Sequence, residues 1–185
     1  MRPPRLSGPL TDKYLVQQLA ALRPADSIIV EEAPSTRGPM HDYLPIIARD
    51  TFYTCASGGL GHGLPAAIGV ALGRREKVIA LLGDGSSMYS IQALWTAAQL
   101  KLPITFIIVN NRRYEALLQF GRHFGLARTV GTSLADIDFC GLAVSQGCKA
   151  LRVERADALD GALRTALAAV EPTLLEVVVE SQTGS

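Results

Sequence analysis

The chain has 185 residues, 48% of them hydrophobic, enough for one well-buried domain and too few for two comfortable ones. Eighteen Lys and Arg against seventeen Asp and Glu leave a formal net charge of +1, so composition gives no electrostatic reason to expect nucleic acid or an anionic membrane as partner. Three cysteines without CxxC spacing, no apolar run near the roughly 20 residues of a membrane helix, and no signal-peptide core at the start lead us to expect a cytoplasmic protein without a disulfide framework or structural zinc.

Met1 to Leu10 carry three prolines and no periodic pattern, so residues 1–10 are expected to be an arm or linker remnant, 11–180 the domain and 181–185 a tail. Tyr14, Leu15, Leu19 and Leu22 give one face of a helix with Thr11 as N-cap. Ser27 to Val30 reads as a strand, followed by Glu31 to Gly38, a polar loop at its carboxyl end and a second candidate ligand site. Tyr43, Ile46 and Ile47 suggest a short helix with Pro45 near its first turns or at a break. Cys55 to Gly63 places four glycines within six residues, and Leu64 to Leu72 reads as a helix whose Ala66, Ala67, Gly69 and Ala71 permit close packing.

Val78 to Leu82 is an apolar strand ending at Gly83-Asp84-Gly85. A helix follows, with Ile91, Leu94, Trp95 and Ala98 at helical spacing, and then a second apolar strand from Ile104 to Val109 that ends at Asn110-Asn111. Tyr114 to Phe120 is a short helix, Gly121 to Ser133 a loop, and Asp138 to Gly147 a helix with Phe139, Leu142 and Ala143 inward and Gly147 stopping it. Ala150 to Val153 is a strand, Ala156 to Val170 a helix with Leu159, Leu163 and Leu167 on one stripe, and Thr173 to Val179 a buried strand. Five to six strands interleaved with helices predict an α/β fold, a doubly wound and mostly parallel sheet with helices on both faces.

The segment Val78 to Asn111 is a βαβ unit, so Asp84 and Asn111 fall at the carboxyl ends of parallel strands, where open α/β sheets bind ligands. GDGSSM is not a dinucleotide turn, because Met88 stands where the third glycine belongs and a carboxylate lies between the first two. A bare aspartate repels a pyrophosphate; a divalent cation between them reverses that sign, accepting carboxylate, amide and phosphate oxygens together. Ser86 and Ser87, at a helix N-terminus, can hydrogen-bond phosphate. The pattern suits a metal-bridged diphosphate.

GDG followed by NN across a βαβ unit resembles the thiamine-diphosphate motif of thiamine-dependent decarboxylases and acetolactate-synthase-like enzymes. CASGGLGHGLPAAIGVALG, GDGSSMYSIQALWTAAQLKLPITFIIVNNRRYEAL and DFCGLAVSQG together look most like the benzoylformate decarboxylase family, specifically its C-terminal, diphosphate-binding third. The resemblance implies Mg²⁺ held by the side chains of Asp84 and Asn111 and the backbone carbonyl of Arg113. It implies thiamine diphosphate contacts at Ser35, Gly58, Gly83, Gly85, Ser86, Ser87, Asn111 and Tyr114, with Gly58 accepting from the aminopyrimidine and Leu60 wedging the cofactor into its bent form. Ala116, Leu117 and Phe120 resemble the apolar rim of a 2-keto acid pocket.

The family's glutamate for the pyrimidine ring comes from another domain, usually across a subunit interface, so the resemblance implies a pyrimidine-binding partner and a homo- or hetero-oligomer. His41, His62 and His123 are expected in non-catalytic surface or structural roles. Glu115 stands where many relatives carry glycine, and Pro34 removes a hydroxyl that close relatives offer the diphosphate. The expected function is the Mg²⁺-thiamine-diphosphate subunit or domain of a 2-keto acid decarboxylase, a lyase. The alternatives are a carboligase of the acetolactate synthase type and a non-catalytic assembly module that keeps the fold.

Overall fold

The computed structural model describes residues 9–180, so the expected tail and residues 1–8 of the expected arm lie outside it. Six strands, β1 (Ile28–Glu32), β2 (Phe52–Thr54), β3 (Val78–Gly83), β4 (Ile104–Asn110), β5 (Lys149–Val153) and β6 (Thr173–Val178), form one sheet in the order β2-β1-β3-β4-β6-β5. Every pairing is parallel, as the interleaving of strands with helices predicts.

Side-chain alternation along the strands divides the core into two layers. Ile79 and Leu81 face the helices α1 (Asp12–Leu22) and α8 (Ala156–Ala168), packing with Leu15, Leu19, Leu159 and Leu163. Val78, Ala80 and Leu82 face α3 (Gly63–Gly73), α5 (Ala93–Gln99) and α7 (Phe139–Ser145), packing with Leu64, Ala67, Leu94, Ala97 and Phe139. Each large apolar side chain so buried stabilises the fold by about 1.5–3 kcal/mol. Among the described residues no helix is long and apolar enough to cross a membrane.

Local signals act as expected at several points. Thr11 Oγ1 caps α1 by accepting the Tyr14 N–H at 3.2 Å. Gly147, at φ 89°, turns the chain out of α7.

Other expectations are corrected. Glu31 and Glu32 belong to β1 and are buried, so the polar loop begins only at Ala33, with a single 3-10 turn at Pro34–Thr36 and then α2 (Arg37–Tyr43). The helix expected around Pro45 ends before it, because a residue preceding proline is steered out of the α region; Leu44 has ψ 85°, and Ile46 and Ile47 are exposed. Strand β2 is an edge strand of three residues that leaves almost no periodic signal.

The helix between β3 and β4 is in two pieces, α4 (Asp84–Met88) and α5, joined by tight turns in which Tyr89, Ser90, Ala93, Leu94 and Trp95 each donate to the residue three before. That tighter winding advances the phase, so Leu94 and Ala97 point inward and Trp95 faces out. Of the small residues of α3, Ala67 is packed in the core while Gly69 faces open space. Leu10 is not part of a loose arm: it is buried in the core, its carbonyl accepts the Glu180 N–H at 2.8 Å, and Pro9 bridges to Arg155.

Candidate functional site

β1 lies between β2 and β3, so the chain leaves it in one direction and returns on the other side, a switch point of the kind outside whose strand ends open α/β sheets bind ligands. The 3-10 turn after β1 borders that point: the Ala33 Cα lies 3.8 Å from where a Gly83 Cβ would stand, and Ser35 is half-buried in that turn. Gly83 closes β3 and Asp84 opens α4.

Parallel register sets Gly83 beside Val109, which brings the residues just beyond both strands together. Asp84 Oδ1 accepts the Gly85 N–H at 2.8 Å, and its Oδ2 accepts the Arg113 N–H at 3.2 Å. Asn111 Oδ1 accepts the same Arg113 N–H at 3.2 Å. One backbone amide thus gathers the carboxylate and the carboxamide oxygen, the pair expected to bind a metal. Burial pushes the Asp84 carboxyl up to about 6, opposed by the backbone N–H groups around it.

A carboxyl desolvated in this way gains most from a cation at contact. Asp84, Asn111 and the Arg113 carbonyl, of which one lone pair accepts the Glu115 N–H at 2.9 Å, make three ligands at one oxygen per residue. Among the described residues no group of three or more His, Cys, Asp or Glu could enclose a metal. The donor set fits Mg²⁺ only when a ligand such as a diphosphate adds further oxygens.

The turn carrying Arg113 is braced by contacts that strand and helix patterns do not announce. Arg112 is in the left-handed region at φ 62°, Asn110 Oδ1 accepts its N–H at 3.0 Å, and Tyr114 N–H and Leu134 N–H bond to the Thr132 and Arg112 carbonyls. Ser86 and Ser87 are buried; the Ser87 hydroxyl donates to the Gly83 carbonyl at 2.8 Å, leaving only its lone pairs for other partners. Gly85 is required by contact, since a Cβ there would overlap the Tyr114 ring. The Tyr114 phenol is held above its ordinary range, first by burial and then by Tyr89.

Gly58 and Leu60 lie in the loop before α3, Gly58 exposed at φ 71° and Leu60 half-buried. On α6 (Glu115–His123), Ala116 is half-buried while Leu117 and Phe120 are 53% and 60% exposed. The apolar rim extends to Phe124, which stacks on Phe120 at 6.4 Å and meets the His123 ring edge-on. His41, His62 and His123 are all exposed. Sequence reasoning left Glu115 without a role; its carboxylate is buried, 2.7 Å from Arg113 Nε and 3.6 Å from Arg122 Nη1. Helical spacing gave no clue, because the pairs that meet on a helix are three or four residues apart and Arg122 follows Glu115 by seven.

Comparison with known proteins places the sequence and the fold in a family. Residues 35–177 match the family described as thiamine pyrophosphate enzyme, C-terminal TPP binding domain. Benzoylformate decarboxylase of Pseudomonas aeruginosa is 39% identical over 184 residues, 97% of this chain and 35% of that protein. The acetolactate synthase isozyme 2 large subunit of Escherichia coli is 30% identical over 90% of this chain and 31% of its own length. The 4-hydroxybenzoylformate decarboxylase of Rhodococcus jostii superposes over 100% of this chain and 35% of its own, with a TM-score of 0.93 and 37% identity. The benzoylformate decarboxylase of Polynucleobacter necessarius gives a TM-score of 0.92 at 34% identity over 97% of this chain. The chain spans about a third of the length of such relatives. It belongs to the thiamine pyrophosphate enzyme family and corresponds to that family's C-terminal TPP-binding domain.

Proposed function

We propose that this chain supplies the Mg²⁺- and thiamine-diphosphate-binding half of the active site of a 2-keto acid decarboxylase, and that a pyrimidine-binding domain or subunit supplies the other half. The observation that carries the reading is the Arg113 N–H shared by Asp84 and Asn111. Asp84, Asn111 and the Arg113 carbonyl hold the cation; Ser86 and Ser87 line the diphosphate. Gly58 and Leu60 orient the aminopyrimidine end, and Leu117, Phe120 and Phe124 form an apolar wall over the reacting carbon. Thiamine diphosphate, when bound, supplies an acidic carbon that adds to the keto carbonyl and an electron sink for the pair released with carbon dioxide.

The exposed aromatic residues of α6 and its end favour a bulky 2-keto acid such as benzoylformate, the substrate class named in the relatives of highest identity given above. A carboligase is the second reading, favoured by the acetolactate synthase relatives. Mg²⁺ with thiamine diphosphate should raise the melting temperature of the chain, and Asp84→Ala should remove the rise; an equal rise in the variant sinks the proposal. Reconstitution with the pyrimidine-binding domain of a relative, followed by product analysis on benzoylformate and pyruvate, separates decarboxylation from carboligation.

A further inference from the structure

Glu31 and Glu32 are consecutive, 2% exposed each, and lie at the end of β1 with their side chains on opposite faces of the sheet. Neither contributes to the cation site. Each instead grips one end of the glycine loop that runs from β2 to α3. Glu31 Oε2 accepts the Thr54 hydroxyl at 2.7 Å, where β2 hands over to the loop, and Arg37 reinforces the contact, with Nε 3.3 Å from Glu31 Oε1 and Nη2 3.4 Å from Thr54 Oγ1. Glu32 accepts both N–H groups where the loop enters α3, His62 at 3.0 Å on Oε1 and Gly63 at 3.0 Å on Oε2.

Gly63 makes that second grip sterically feasible, because a Cβ there would stand 2.6 Å from the Glu32 Cβ and 2.8 Å from Leu82 Cδ2. Between the two grips, Ala56 to Gly59 are exposed. A buried carboxylate that takes two backbone amides is among the stronger anchors a loop can have, since both its hydrogen bonds are charge-assisted.

We propose that Glu31 and Glu32 form a two-sided clamp that positions the loop Cys55–Gly61, and with it Gly58 and Leu60, for the aminopyrimidine end of the cofactor. The clamp touches no ligand and acts through the loop; it rests on the cofactor reading above. Its ordering cost falls on the free protein rather than on binding, which tightens binding of a ligand that uses the loop and leaves other ligands unaffected.

The test compares two Mg²⁺ complexes on the 185-residue chain: thiamine diphosphate, which has an aminopyrimidine, and inorganic pyrophosphate, which has none. Glu32→Gln keeps the shape but turns an amide donor toward one of the two N–H groups. Thr54→Val deletes only the hydroxyl at the other end, on an exposed residue, and Glu31 Oε2 keeps its contact with Arg37 Nε at 3.4 Å. Both variants should bind thiamine diphosphate about tenfold more weakly and pyrophosphate unchanged, with faster hydrogen exchange across residues 56–63. Equal weakening of both ligands, or unchanged thiamine diphosphate affinity, overturns the clamp. If the wild-type chain binds neither ligand, the cofactor reading has failed; unchanged loop exchange in both variants then overturns the clamp separately.

Discussion

At the scale of single residues, the site's chemistry turns on Asp84. Burial raises its carboxyl from 3.8 to about 6, so the fold itself favours the protonated form. The linked stability is complete below the ordinary value and is lost as pH rises through about 6. In buffer without magnesium or cofactor, this one group should make the chain less stable at pH 7 than at pH 4 by up to about 3 kcal/mol. Binding through Asp84, as proposed, carries the opposite sign, because a cation needs the carboxylate: affinity for Mg²⁺-thiamine diphosphate should fall about tenfold per pH unit below 6. Calorimetric titration across pH 4.5 to 7.5, roughly one unit and more either side of that value, checks this, and a flat profile rules out Asp84 as the titrating ligand. That Asp84 and Asn111 meet was legible from sequence, because strand ends are where apolar runs stop and the register of two parallel strands does the rest. Glu115 was not, because a lone carboxylate on a helix gives no sign that Arg113 and Arg122 will enclose it.

At the scale of elements, β4, β5 and β6 are tied by a buried carboxylate. Glu176 on β6 is fully buried and accepts from Asn110 Nδ2 at 2.7 Å and from Arg152 Nε and Nη2 at 2.9 and 3.1 Å. Removing the arginine strands that charge between strands. Arg152→Met should cost about 2 kcal/mol in chemical denaturation, at the low end for a buried pair because the Arg152 side chain is 42% exposed and screened by water. Arg152→Lys should recover part of the loss. The same element shows where sequence reading runs out. Glu176 sits inside an apolar strand that periodicity identifies readily, whereas Glu31 and Glu32, two acids after a short apolar run, look like a strand's end. Trp95 fits the helical period on paper, yet the tight turns before α5 rotate it to the surface. Local winding and cross-strand partners decided these cases, and neither is written in spacing.

At the scale of the whole molecule, the α/β class, the parallel sheet and the two helical layers follow from alternating apolar strands and helices, and these are legible in the sequence. The edge position of β2 and the docking of Leu10 depend on contacts between segments distant in sequence. Binding that selects the folded form stabilises by mass action, so Mg²⁺ and thiamine diphosphate at 100 times the dissociation constant should add about 2.7 kcal/mol and raise Tm by roughly 5–10 °C. Differential scanning fluorimetry with a titration of the cofactor checks the magnitude.

The hydrogen bond from Glu180 to Leu10 also fixes where a tether could be attached. Leu10 and Glu180 meet beyond the carboxyl end of β6, on the same edge of the sheet as Asp84 and Asn111. Both positions that this pairing fixes, Leu10 and Glu180, therefore lie on the side of the sheet where Asp84 and Asn111 lie. A tethered second domain would meet the site at an effective concentration set by the length and stiffness of its linker, in the millimolar range for a short flexible one. Under the half-site proposal, a pyrimidine-binding domain joined in the same chain and one that meets it as a separate subunit would differ in that linker, with the geometry of this domain common to both.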